Sequence, residues 1–297
     1  MTTVRVAQTG DFPLYAGLYV AKDAGLFAKH GLDVSITSTG GDEKSAAAVI
    51  SHHAEFAIGD PTFAAIANQR GQNLKFVASV VDGAPFWGIT FKSTVADSYA
   101  RKGLAGLRVV TFPAPSTAYA LQREMFLSQK LQPNIQEGAF GSVEGVLEAG
   151  RADIALELEP NVSMATARGG RVLYSMAQRA GPFAVTGVVV DGNWARSHAS
   201  IIGAFCASLD EAFRIIRSDQ GRTNAILVKR FPTVPAPVMQ AALSRSVSEG
   251  VIPSTSAIDS AGWDNALRLR AAVGDVASVS AGRAAADASY CGSKKAL

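Results

Sequence analysis

Apolar and polar positions along the 297-residue chain alternate between two rhythms. Short runs with period 2 or continuous apolar character predict strands at "VRVAQ" (4–8), "LDVSIT" (32–37), "EFAIG" (55–59), "LKFVASVV" (74–81), "WGITFK" (87–92) and "GLRVVTF" (106–112). Between them lie runs with period 3.6. Leu14, Leu18 and Ala21 share one helical face, Pro13 suits the first turn, and Gly31 is a stop. An alanine-rich helix follows "STGGDEK", and "DPTFAAIANQRG" places a cap at Asp60 before another helix. Ser116 caps a long helix that ends near Leu131, and from about residue 199 the pattern is mostly helical.

This alternation predicts α/β architecture with parallel sheet. Two strand–helix modules are visible, with the chain crossing between them at about 82–92 and back near 183–191. Residues 1–86 and 188–297 would form the first lobe, and 87–187 the second. Ligands of such sheets collect at strand carboxyl ends, where loops lead into helix N-termini. Four loops qualify, at 10–14, 40–44, 59–62 and 113–117. The last stretch, 280–297, has weak periodicity and is expected to fray or to wrap the surface.

Composition narrows the function classes. With 48% hydrophobic and 18% charged residues the chain can bury a sizeable core, and a net charge of +3 without a basic run argues against nucleic acid. No apolar stretch reaches the roughly 20 residues that span a bilayer. No charged n-region and apolar h-region open the sequence. Either the protein is cytoplasmic with Met1 as its native start, or the numbering describes a mature periplasmic chain. Cys206 and Cys291 lack metal-ligand spacing, and a disulfide between them is left open.

Candidate chemistry falls on the four loops. Gly10-Asp11, Gly41-Asp42 and Gly59-Asp60 each follow a strand; glycine would let a ligand approach the backbone, or else merely turn the chain beside a capping aspartate. Ser116 and Thr117 would hold an anion at a helix N-terminus, or simply cap it. In "RADIALELEP", Glu157 and Glu159 share a strand face and would line a wet cleft or act as acid and base. Phe12, Tyr15, Phe63, Phe86 and Trp87 could stack on a flat ligand, Trp87 foremost because it lies on the crossover. His52-His53 reads as a surface turn, since adjacent helical residues diverge by about 100°. No nucleophile elbow, phosphate-binding loop or dinucleotide fingerprint is present.

The runs "LYVAKDAGLFAKHGLDVSI", "GGDEKSAAAVISHHAEFAIGDPTFAAIANQRGQNLKFVAS", "ADSYARKGLAGLRVVTFPAPSTAYALQ" and "GSVEGVLEAGRADIALELEP" resemble the solute-binding proteins of nitrate, sulfonate, taurine and thiamine-pyrimidine ABC transporters, a family that includes the fungal thiamine-pyrimidine synthase. The resemblance spans about residues 4–275. It implies a type II periplasmic-binding fold: two lobes, two hinge crossovers, a ligand in the cleft, and C-terminal helices returning to the first lobe. It implies ligand contacts at Asp11, Phe12, Gly41, Asp42, Asp60, Ser116, Thr117 and Glu159, with Trp87 as a crossover aromatic. Departures are Leu158 where an aromatic is common, Glu157 where an apolar residue is usual, and the absence of the synthase's cysteine-rich motif. No arginine sits in the matching loops, which argues against a strongly anionic ligand.

Two functions lead, with a cytoplasmic sensor or regulatory module, which would need a partner surface, as a third. One is a monomeric binding protein of an ABC importer, partnered by a membrane permease and closing on a small polar heteroaromatic, sulfonate or amine-bearing molecule, without cofactor or metal. The other is an enzyme on the same scaffold, a decarboxylase, desulfinase or pyrimidine synthase, with Glu157 and Glu159 or a Schiff-base Lys44 in the catalytic roles.

Overall fold

The structure is a computed structural model that describes residues 1–114 and 116–291 and the backbone of 293–294. The first segment lays down β1 (Thr2–Gln8), α1 (Ala16–Asp23), α2 (Leu26–Lys29), β2 (Leu32–Ser38), α3 (Asp42–Ile50), β3 (Phe56–Gly59), α4 (Thr62–Asn68) and β4 (Leu74–Gly83). The chain then crosses into β5 (Trp87–Thr90), α5 (Ser93–Lys102), β6 (Val109–Thr111), α6 (Thr117–Ser128), β7 (Ile135–Glu137), α7 (Val143–Glu148), β8 (Ile154–Glu157), α8 (Asn161–Ala167), β9 (Arg171–Ser175) and α9 (Met176–Ala180). It returns through β10 (Pro182–Asp191) into α10 (Gly192–Ser197), α11 (Ala199–Ser218), α12 (Gln220–Arg230), α13 (Ala236–Ser248), β11 (Ile258–Asp259), α14 (Ser260–Ala272), α15 (Val279–Arg283) and β12 (Ser293–Lys294).

Two five-stranded sheets result, ordered β2-β1-β3-β10-β4 and β7-β6-β8-β5-β9. Each is mixed rather than wholly parallel: β10 runs against β3 and β4, and β5 runs against β8 and β9. The cause is topological. β5 and β10 are the strands that have just arrived from the other lobe, so each enters its sheet from the cleft side and runs down while its neighbours run up. The fold is therefore the two-lobe α/β type expected, but the return crossing falls earlier than the sequence placed it. β10 pairs with β4 from Pro182, so residues 182–187 lie in the first sheet and the crossing occupies 176–181. Its run "FAVTGVVV" looks equally apt for either sheet because both its faces are buried.

The C-terminal helices pack on the first lobe, as the resemblance implied: α11 lies on α1 and α2, α12 on α1, and α14 on β10. Phe27, Phe56 and Phe205 stack in series at 4.8 and 4.5 Å to join α2, β3 and α11. The tail wraps the surface over its described part. Phe76 N–H donates to Ala285 O at 2.7 Å, Asp287 N–H donates to Phe76 O at 2.8 Å, and Cys291 forms a disulfide with Cys206 on α11, with Cα atoms 5.6 Å apart. That separation is ordinary for a disulfide.

A bridge closing 85 residues of chain removes much of the unfolded state's freedom. Replacing both cysteines by serine should lower unfolding free energy by about 2–4 kcal/mol in urea titrations, and the native parent should show no thiol reactive towards Ellman's reagent.

Candidate functional site

The strands of each sheet that run together end on one edge, and these edges face each other. In the first lobe the edge comprises 8–12, 38–42 and 59–62. The three loops converge: Thr39 N–H donates to Gln8 O at 2.8 Å, Gly40 N–H to Thr9 O at 2.9 Å, and Asp60 N–H to Asp42 Oδ1 at 3.0 Å. Asp42 also accepts from the Thr9 hydroxyl. A Cβ at Gly59 would stand 2.7 Å from Thr9 Oγ1 and 2.5 Å from Asp42 Oδ1, so glycine is what lets these side chains cross over the strand end. Gly41 is the N-cap of α3 and, having no side chain, caps nothing; Asp42 is already the first helical residue.

Each expected acceptor in these loops is already engaged by groups of the protein. Asp60 caps the following turn through Thr62 N–H at 2.8 Å and is ion-paired to Arg270 of α14 at 2.6 Å. Burial pushes the Asp42 carboxyl up and the neighbouring Asp60 charge adds to this, while the hydrogen bond from Thr9 opposes it. Burial likewise holds the Tyr15 phenol well above its ordinary range, helped by the Asp42 charge. Asp11 accepts from Gln8 Nε2 at 2.8 Å, Ser38 Oγ at 3.2 Å and Arg230 of α12 at 3.2 Å. Burial alone would raise its pKa, but the bonds from Gln8 and Arg230 outweigh this and hold it low. Phe12 is half-buried, edge-on to Tyr15 at 5.6 Å.

In the second lobe the corresponding edge comprises 112–116, 138–142 and 158–160. Ser116 caps α6, accepting from Tyr119 N–H at 3.2 Å; Thr117 begins that helix and both residues are partly exposed. Pro115 lies outside the described residues. Glu159 is buried, and accepts from Ser163 N–H and Ser163 Oγ, each at 3.0 Å, and from Arg245 Nη1 of α13. Burial raises its pKa while the Arg245 charge opposes this. Arg245 Nη1 also reaches Ser163 Oγ at 2.9 Å. This ion pair joins the lobes, because α13 belongs to the returning helices and Glu159 to the second sheet.

A second fastening lies one turn further on, at the C-cap of α13. Glu249 accepts from Trp87 Nε1 at 2.8 Å and from Ser175 Oγ. Trp87 and Ser175 are register partners where β5 begins and β9 ends, so Glu249 holds both crossovers. Trp87 is 0% exposed, and in this conformation neither face of its ring is open to a ligand. The indole is therefore engaged by Glu249 at the crossover, with no open face of the kind the sequence reading expected.

The arginines are the main correction to the sequence reading. None lies in the loops, yet Arg230, Arg245 and Arg270 all reach them from α12, α13 and α14. Arg245 Nε and Nη2 make no hydrogen bond to any described residue, and Arg230 Nε is buried without a partner among them. Arg230 also lies over the Tyr19 ring at 4.0 Å. Gln8, wholly buried and bridging Asp11, Ser38 and Tyr19, was missed too. A small cavity of about 10 Å³ lies where the lobes meet, lined by Pro13, Leu14, Glu159, Leu227, Met239 and Ser246 among others.

The alternative catalytic groups are placed otherwise. Lys44 is exposed, not in the desolvated pocket that activates a Schiff-base amine. His52 and His53 lie in an exposed turn. Among the described residues no group of three or more His, Cys, Asp or Glu could hold a metal ion.

Residues 13–134 match the family model described as NMT1/THI5 like. YtlA of Bacillus subtilis (strain 168), described as a binding protein, is 22% identical over 236 residues, covering 76% of this chain and 70% of its own. The ligand-binding component of an ABC-type import system from Staphylococcus aureus, solved with zinc bound, superposes with a TM-score of 0.74 at 15% identity over 98% of both chains. The periplasmic aliphatic sulphonate binding protein SsuA of Escherichia coli superposes at 0.70 with 18% identity, over 86% of this chain and 85% of its own. The chain has the periplasmic-binding-protein fold, and its residues 13–134 carry the NMT1/THI5-like match.

Glu157 offers a pH test of the second-lobe edge. It is buried, Leu158 N–H donates to its Oε2 at 2.7 Å, and its Oε1 has no partner. Burial pushes its pKa from 4.5 up to about 7. Between these values the unfolded chain ionises first, so this group erodes stability as pH rises from about 4.5 to about 7. Glu157→Gln should match the parent at pH 4 and exceed it at pH 8 by on the order of 2–3 kcal/mol in denaturant titrations.

Proposed function

We propose that the protein is the solute-binding component of an ABC-type importer, gripping a small molecule between its lobes and presenting it to a membrane permease. The observation that carries this reading is the junction of the two strand-end edges. First-lobe residues Pro13 and Leu14, second-lobe Glu159 and helices α12 and α13 enclose one shared cavity, while Glu249 fastens both crossovers. A cavity of about 10 Å³ holds no more than about one water, so a solute enters only as the lobes part. Extra contacts in the closed form would then favour closure.

The site we assign comprises Asp11, Phe12, Gly41, Asp42, Asp60, Ser116, Thr117 and Glu159, joined by Arg230 and Arg245. Its carboxylates are held internally, whereas guanidinium and helix N-terminal N–H groups keep donor capacity. This favours a ligand rich in acceptors, a carboxylate or sulfonate, over an amine. The aliphatic sulphonate binding protein of Escherichia coli is a structural neighbour of that chemistry. A periplasmic location is supported by the Cys206–Cys291 disulfide, which persists in oxidising compartments.

Thermal-shift titration with sulfonates, carboxylates, pyrimidines and amines tests this. At a ligand concentration of 100 times Kd, binding stabilises by about 2.7 kcal/mol, a rise of several degrees. Acids should shift the midpoint saturably and amines should not. Failure of the whole panel would contradict the reading.

A further inference from the structure

We propose that Phe140, stacked on Phe112, is an aromatic platform at the cleft edge of the second lobe, selecting solutes whose acidic head is attached to a flat ring. This rests on the solute-binding reading above and names the kind of solute.

Topology puts the platform beside the site. β6 is parallel to both β7 and β8, so all three end on one edge. The loop after β8 carries Glu159, which meets Arg245 of the first lobe. β6 lies between β7 and β8, and strands are spaced by about 4.8 Å. Phe112, one residue past β6, is therefore one strand away from the Glu159 loop, and Phe140, three residues past β7, is two.

The ring itself is unusual. Among the described residues the exposed large hydrophobics are Met1, Leu127, Phe140, Val172 and Val273, of which only Phe140 is aromatic. It is 66% exposed, while the Phe112 beneath it is 1% exposed. The two rings stack at 4.2 Å and 16°, and Phe86 at the crossover continues the row 6.4 Å from Phe112. A side chain held flat on a buried ring presents its other face in a fixed orientation, so little freedom is lost when a second ring lands on it.

The surroundings match such a solute. Residues 112–119 and 138–143 contain no charged side chain. Pro113, Ala114 and Ala139 are exposed beside the rings, and Ser116, Thr117 and Ser142 supply hydroxyls. The second lobe thus offers an apolar shelf, while the guanidinium of Arg245 stands across the junction to meet an acid.

Matched acids test the proposal by calorimetry: benzoate against acetate, and benzenesulfonate against ethanesulfonate. With the parent, the aryl member should bind at least about three- to tenfold more tightly than its alkyl match. Phe140→Ala and Phe140→Leu should both weaken the aryl acid by that factor and leave the alkyl acid unchanged; Phe140→Leu keeps Phe112 covered, so a loss there reports the ring. Equal weakening of aryl and alkyl acids, or no weakening, would overturn the platform. So would unaltered aryl binding combined with loss of permease-dependent uptake, which would make Phe140 a docking residue. Aryl and alkyl acids that both bind saturably with no Phe140 dependence overturn the platform alone, whereas no saturable binding of any acid contradicts the solute-binding reading as well.

Discussion

The carboxylates at the strand ends are held by arginines that arrive late in the chain. Asp11 takes Arg230, Glu159 takes Arg245 and Asp60 takes Arg270. A buried carboxylate left alone would be neutralised or expelled, because the low-dielectric interior disfavours its charge. Guanidinium groups from α13 and α14 let the Glu159 and Asp60 loops keep their acids and still pack closely, whereas Asp11, which Arg230 reaches from α12, is exposed. Only the Arg245–Glu159 pair joins the two lobes, and it does so beside the cavity that both lobes line.

That pair and the Glu249 contacts lie one helical turn apart, on the last turn of α13 and at its C-cap. The helix therefore touches the second lobe at two levels: at the site edge through Glu159, and at the hinge through Trp87 and Ser175. Rotation of the second lobe would strain both contacts together. Sequence to function runs through this spacing. Arginine and glutamate four residues apart share a helical face, and that face looks onto both Glu159 and the crossover residues Trp87 and Ser175.

Much of this architecture was legible in the sequence. The strand and helix rhythms marked the two sheets, and the glycine–aspartate loops fell on the converging edge. Two features stayed hidden for one reason: they depend on contacts distant in the chain. The arginine partners lie 219, 86 and 210 residues from their carboxylates, and nothing local at Arg230, Arg245 or Arg270 distinguishes them from solvated surface charges. Trp87 looked like a stacking ring because its position on the crossover was evident, while Glu249, which takes its indole N–H, lies 162 residues away. The return crossing was misplaced because β10 is apolar on both faces, which removes the alternation that fixes a strand's sheet.

Arg245 and Glu159 interact directly across the lobes. A double-mutant cycle on unfolding free energy, using Arg245→Met, Glu159→Gln and the combination, measures this without any ligand. Each single change should cost about 3–5 kcal/mol, because it strands a charge that had a partner, and the double variant should recover at least about 2 kcal/mol of the sum. Additivity within about 0.5 kcal/mol would mean that the two side chains do not hold the lobes together.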